Sequence, residues 1–295
     1  MVQRAEDTPV EERGRSTWLA FGKKLVREKP LGMVGGAIIF LMVFLAVFAD
    51  LVAPYGYDET DLFARLQPPT PQHWFGTDNL GRDTLTRVIY GARVSIYVGL
   101  AAVGLGILGA TIVGILSGYF GGWIDAGVQR FVDAFMCFPW MLIALTIMAI
   151  LGPGMLNVII TLGFLLGVRA SRVVRGSVLI VKENEYVQAA RALGASHLRI
   201  IFRYILPNIM APIIVLATVN LGYVILVEAA LSFLGFGVPP PRPSWGGMLS
   251  GEGLWHMYRS PWLAIWPGLA LSLTVFGFNM FGDALRDLLD PRLKL

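Results

Sequence analysis

The chain has 295 residues, 55% of them hydrophobic and only 15% charged, with a net charge of +4. An ordinary soluble domain is about 25% charged, so the composition excludes a soluble globular protein and points to an integral membrane protein. One cysteine, Cys137, excludes an internal disulfide and a multi-cysteine metal site, and His73, His197 and His256 stand too far apart for a shared ligand set. The positive excess flanks apolar runs, which is the pattern of membrane topology rather than of nucleic-acid binding.

Residues 1–30 form a tail of mixed charge, and Lys23, Lys24, Arg27 and Lys29 stand directly before the first apolar run, Leu31 to Val52. A hydrocarbon core of about 30 Å needs roughly 20 apolar residues in a helix, so residues 31–53 read as a transmembrane anchor. The run exceeds the apolar core of a signal peptide and no small-residue cleavage site follows it. This predicts an uncleaved anchor with a cytoplasmic N-terminus. Residues 54–92 are polar and proline-rich, with five acidic residues against Arg65, Arg82 and Arg87. That acidic lean places them on the extracytoplasmic side, and Pro68, Pro69 and Pro71 argue against a continuous helix.

Residues 93–282 form the core, with spans expected at Val94–Tyr119, Phe131–Leu151, Leu156–Val174, Ile209–Phe233 and Trp262–Phe281. Gly99, Gly104, Gly106, Gly109, Gly114 and Gly118 punctuate the second span, where small residues let helix backbones approach in lipid. Two polar segments interrupt the core, at 183–207 and at 235–261, and residues 283–295 follow the last span. Trp245, Trp255 and Trp262 are expected in the outer aromatic belt. Between Arg169 and Arg203 seven Lys/Arg face only Glu183 and Glu185, which places the 183–207 segment in the cytoplasm. The expected fold is therefore an all-α integral membrane protein with six transmembrane helices, an anchor plus a five-helix core. Both termini are cytoplasmic.

The polar segment "EYVQAARALGASHLR" (185–199) has helical periodicity. Tyr186, Ala189, Ala190 and Leu193 mark one face; Leu198, Ile201, Phe202 and Ile205 mark another, rotated by roughly 120° at 3.6 residues per turn. Gly194 lies between the two stripes, so the spacing predicts two short helices joined by a turn. The alanines give the first helix a thin profile suited to a groove on another protein. The alternative is a helix lying flat on lipid headgroups, but the segment lacks the Trp/Phe/Leu-rich face that insertion favours.

Glu228 is the carboxylate well inside a predicted span, and Asn279 and Asp133 stand near the edges of theirs. Intramembrane charge is costly and faces a cavity or a partner. Glu228 and Asn279 are therefore candidate pathway or gate residues, beside the plainer reading of a packed, hydrogen-bonded Glu. The chain offers no His cluster, Cys/His pair or paired intramembrane carboxylates for catalysis, and no G-x-x-x-x-G-K-[ST] loop for ATP.

"QAARALG" followed by Leu206-Pro207 resembles the EAA loop of bacterial ABC importer permeases. Gln188 replaces the usual leading Glu, and Tyr204 stands where isoleucine is usual. "FGTDNLGRD" (75–83), "GYFGGWID" (118–125), "EAALSFLGFGVPPPRPSWGGML" (228–249) and "LRDLLDPR" (285–292) narrow the resemblance to the dipeptide/oligopeptide/nickel permease family, in its second-permease type. The resemblance implies a non-catalytic permease subunit in the bacterial inner membrane, surrounded by lipid and without a nucleic-acid partner. It implies a heterodimer with a homologous permease, two cytoplasmic ATPase subunits that bind the ATP and Mg, and an extracytoplasmic substrate-binding protein. No cofactor is expected in this chain. Coupling to the ATPases would fall on Glu185, Tyr186, Gln188, Ala189, Ala190, Arg191, Leu193, Gly194, Leu206 and Pro207. The implied cargo is di- or oligopeptides; nickel chelates, glutathione or oligosaccharides carried by the same machinery, and an ion-coupled secondary transporter, are the alternatives.

Overall fold

The computed structural model describes residues 29–289. The expected tail of residues 1–28 and the last six residues lie outside that range. The described residues are helical throughout, joined by loops, with five helices long and apolar enough to span a bilayer, and six such crossings if one bent pair counts as a single span. The anchor is α1 (Pro30–Val47), followed by the short α2 (Ala49–Val52). Helix α3 (Thr84–Phe120) begins ten residues before the expected span, because the Asp83 carboxylate accepts the Thr86 N–H and caps it.

The third crossing differs most from expectation. Instead of one helix over 131–151, the chain forms α4 (Gly122–Met136) and α5 (Trp140–Leu151), bent by 90°. Pro139 stands at the N-cap of α5, where its ring excludes an α-helical predecessor and ends the preceding helix. Helix α6 (Met155–Lys182) returns the chain, and then come α7 (Glu185–Ala192) and α8 (His197–Ile200). A π turn, Ile201–Ile205, leads directly into α9 (Leu206–Phe233). The fifth span is thus continuous from His197, not from Ile209. Pro207 has no N–H to donate, and the wider π turn carries the helix past it, with the Leu206 N–H reaching the Ile201 carbonyl. Two short helices, α10 (Trp245–Leu249) and α11 (Glu252–His256), precede the final α12 (Trp262–Leu289).

The bundle is organised around α3 and α6. A Cβ on Gly106 would lie 2.8 Å from the Gly163 carbonyl oxygen, and one on Gly114 would lie 2.7 Å from the Val174 Cβ. Gly118 meets Val178 in the same way at 3.0 Å. With Ala110 these residues recur every fourth position, one stripe of α3, and close backbone approach along it supplies packing that hydrophobicity cannot supply in lipid. Gly99 meets Ile225 of α9, but Gly104 and Gly109 face open space. Four of the six glycines therefore serve the expected packing and two do not, because they sit off the stripe.

The anchor packs on α12, where a Cβ on Gly35 would lie 2.7 Å from the Gly277 carbonyl oxygen. Lys29 and Asp287 pair at 2.5 Å, so the start of α1 and the end of α12 lie together on one side of the bundle. Near the other end of α1, Arg93 donates to the Ala46 carbonyl and pairs with Asp50 at 2.9 Å.

At that end the two polar loops fold onto each other. Trp245 is fully buried, its indole N–H donating to the Val88 carbonyl at 3.0 Å and its ring lying against Gly91. It belongs to the core and not to an aromatic belt, since glycine leaves room for the ring and the indole N–H finds a partner. Trp262 likewise donates to the Thr77 carbonyl at 3.1 Å, whereas Trp255 is exposed. "FGTDNLGRD" is a turn organised by Asp78. Asp78 accepts from the Leu80 and Arg82 N–H groups and pairs with the Arg82 guanidinium at 2.6 Å.

Candidate functional site

Helix α7 and its turn form the segment that the periodicity marks out. The helix ends in a full Schellman arrangement: the Gly194 N–H reaches the Arg191 carbonyl and the Ala195 N–H reaches the Ala190 carbonyl, both at 3.0 Å. Gly194 sits at φ +79°, the left-handed region, which is why the turn needs glycine. Ser196 then caps α8 through the Arg199 N–H.

The structure divides the expected coupling residues by exposure. Val187 and Ala190 are buried against the rest of the chain, while Tyr186, Gln188, Ala189, Arg191 and Leu193 are exposed. Leu193 has 88% of its surface free. Glu185 is exposed at the start of α7, Leu206 is half-buried and Pro207 exposed at the entry to α9. The second stripe splits in the same way: Ile201 and Ile205 are buried, and Leu198 and Phe202 are exposed. The Gln188 amide donates to the Glu183 carbonyl at 3.0 Å, a bond that an ionised Glu at this position has no hydrogen to make. The Tyr204 ring stands 6.4 Å from the Tyr186 ring, so both departures from the family pattern have a local contact.

Sequence reasoning missed the group that holds this element to the bundle. The Tyr119 hydroxyl, at the end of α3, lies 2.8 Å from His197 Nδ1, and the Arg191 guanidinium lies over the Tyr119 ring at 5.7 Å. Lys182 donates to the Gly118 carbonyl at 2.9 Å. A second missed feature ties α4 to α6: Arg175 grips Asp125, with its Nε 2.6 Å from one carboxylate oxygen, and Arg172 pairs with Asp133. Asp125 and Asp133 are eight residues apart, two helical turns, and that spacing was the available signal.

Glu228 is fully buried in α9 and accepts hydrogen bonds from Ser232 at 2.7 Å and Ser95 at 3.1 Å. This is the packed carboxyl of the plainer reading, with both oxygens satisfied. Asn279 is exposed on α12, its amide oxygen close to Gly222 of α9, so the structure does not bring it together with Glu228. Among the described residues no group of three His, Cys, Asp or Glu side chains is placed to hold a metal.

A bundle of apolar helices long enough to cross a bilayer, with a short helix–turn–helix beside it, is the architecture of a multi-pass membrane protein. Residues 110–295 match the family of binding-protein-dependent transport system inner membrane components, and residues 17–69 match the N-terminal transmembrane domain of oligopeptide transport permease C. The chain belongs to this family: it is a multi-pass inner-membrane permease of an ABC importer of the dipeptide/oligopeptide/glutathione type. Membership removes the ion-coupled secondary transporter from consideration.

The chain is 44% identical to the dipeptide transport system permease protein of Alkalihalophilus pseudofirmus, covering 95% of this chain and 91% of the relative. It is 42% identical to the oligopeptide transport system permease protein of Bacillus subtilis, covering 91% and 88%. It is also 38% identical to the glutathione transport system permease protein of Pectobacterium atrosepticum, covering 95% and 93%.

Proposed function

We propose that this permease carries peptides across the inner membrane and is driven through α7 and α8 by two ATPase subunits. The observation that carries the coupling half is the surface of α7. Val187 and Ala190 hold the helix to the chain, leaving Tyr186, Ala189 and Leu193 as an exposed ridge. A helix with such a small-residue ridge fits a groove on another protein. In this reading α7, α8 and both termini face the cytoplasm, in keeping with the seven basic residues between Arg169 and Arg203. ATP and Mg are held by the ATPase partners, a homologous permease completes the membrane part, and an extracytoplasmic binding protein delivers cargo. ATP-driven closure would move α7, with Gly194 as the joint and Leu206-Pro207 as the rigid entry to α9.

Peptide cargo is supported by the relatives named for dipeptide and oligopeptide transport. A second reading, glutathione, is favoured by the relatives named for glutathione transport. The two halves are tested together in the assembled transporter. A cysteine at Ala189 should cross-link to an ATPase subunit, and labelled dipeptide should enter proteoliposomes only with ATP inside the ATPase-facing compartment. Absence of the cross-link would sink the coupling reading, while uptake of glutathione and not of dipeptides would replace the cargo.

A further inference from the structure

Helix α6 carries three arginines in succession at i+3 spacing, Arg169, Arg172 and Arg175. The two nearer its Lys182 end are matched by acids of α4, Arg172 by Asp133 and Arg175 by Asp125. The third is not. Helix α4 stops at Met136 and the chain turns through 90° into α5, so no further acid of α4 reaches Arg169. No carboxylate among the described residues pairs with it.

Arg169 stands 14 residues beyond Met155, the first residue of α6. At 1.5 Å per residue that is about 21 Å along the axis, inside the expected span Leu156–Val174 and nearer its cytoplasmic end in the proposed orientation. Its side chain is exposed in this subunit and opens on a cavity of about 240 Å³ at the bend, lined also by Phe135, Phe138 and Trp140. On its other side lie Asn220 and Tyr223 of α9. Arg169, Trp140 and Tyr223 line a small cavity there together, and the Trp140 ring lies 5.0 Å from the Tyr223 ring.

A guanidinium held at this depth without an acid is costly unless it meets water or an anion. Its planar fork of donors matches a carboxylate, the Tyr223 hydroxyl adds a further donor, and the aromatic rings give a neighbouring side chain a flat apolar wall. We propose that Arg169, Tyr223 and Trp140 form a carboxylate subsite in the translocation pathway, which takes the terminal carboxylate of a peptide as it crosses. The proposal rests on the peptide-importer reading. A carboxylate of the homologous permease is the other source of the same chemistry, and the experiment separates the two.

The complete transporter, reconstituted with its ATPases and binding protein, is assayed for uptake of one labelled peptide as free acid and as C-terminal amide. Because the binding protein is unchanged between variants, the acid-to-amide ratio reports the membrane step. In Arg169→Gln the ratio should fall about tenfold, the size of a lost charge-assisted hydrogen bond. Stimulation of ATP hydrolysis by the loaded binding protein should persist. Tyr223→Phe, which removes one hydroxyl, should lower the ratio about threefold and keeps the test available if Arg169→Gln fails to assemble. An unchanged ratio, or equal losses for acid and amide as pairing with the other permease would give, overturns the subsite alone. Wild-type transporter that moves neither peptide overturns the peptide reading, and the subsite falls with it.

Discussion

The Tyr119 hydroxyl and His197 Nδ1, 78 residues apart in sequence, meet at 2.8 Å where α3 ends and α8 begins. Tyr119 is 6% exposed and is also covered by the Arg191 guanidinium, so one side chain fastens both short helices to α3. On the proposed coupling, movement of α7 and α8 would be handed to α3 as well as to α9.

Removing that fastening should loosen coupling before it unfolds the protein. Tyr119→Phe deletes the hydroxyl and leaves the ring, a loss of about 0.5–1.5 kcal/mol. The expected outcome is a nearly unchanged melting temperature in detergent and a rise in ATP hydrolysed per substrate transported. Tyr119→Ala should lower both stability and transport. If Tyr119→Phe couples as wild type does, the contact has no part in transmission.

The turn at Gly194 has open space around the missing side chain and a φ of +79°, so its requirement is one of backbone conformation and not of room. A β-branched residue in the left-handed region costs roughly 1–3 kcal/mol, whereas asparagine tolerates it. Gly194→Val should abolish transport or ATPase association, and Gly194→Asn should retain most of it. Equal activity of the two in an uptake assay would contradict the joint.

Close approach of α3 and α6 predicts a sharp positional contrast. Gly114→Leu, which forces a side chain against Val174 and the Ser171 carbonyl, should destabilise by about 1–3 kcal/mol or more. Gly104→Ala, on the exposed side of the same helix with nothing within 4 Å, should leave the melting temperature unchanged. Similar melting curves for both variants would remove the stripe as the basis of packing.

Glu228 gives the test of a packed carboxyl against a gate. Its two serine partners can reorient their hydroxyls toward an amide, so Glu228→Gln should keep uptake within about twofold of wild type. Glu228→Leu strands both hydroxyls and should destabilise by about 1–3 kcal/mol. A collapse of uptake in the Gln variant at normal stability would restore the gate.

Element type and order were readable from apolar runs, and the Gly194 turn from its phase break, because both are local properties of the chain. The bend at Pro139 was not read, since an apolar run from 131 to 151 looks the same whether or not the helix is broken inside it. The early start of α3 and of the fifth span was hidden by polar residues such as Arg87 and Arg199, which a hydropathy window excludes although a helix accepts them. Trp245 misled for a different reason: an indole suits a membrane interface and a core equally, and only its distant partners Val88 and Gly91 decide. The acids facing Arg172 and Arg175 lie on α4, with the whole of α5 between them and α6, so their pairing is a tertiary fact.

The run from His197 to Phe233 is one unbroken helical rod of 37 residues, about 55 Å long at 1.5 Å per residue. Tilting such a rod by about 10° about one end sweeps the other through about 10 Å, a distance larger than the width of an amino-acid side chain. The π turn at Ile201–Ile205 preserves this lever where Pro207 would otherwise cut it. On the proposed coupling, a tilt of about 10° set at Ser196 would be carried along the rod as a swing of about 10 Å at Phe233.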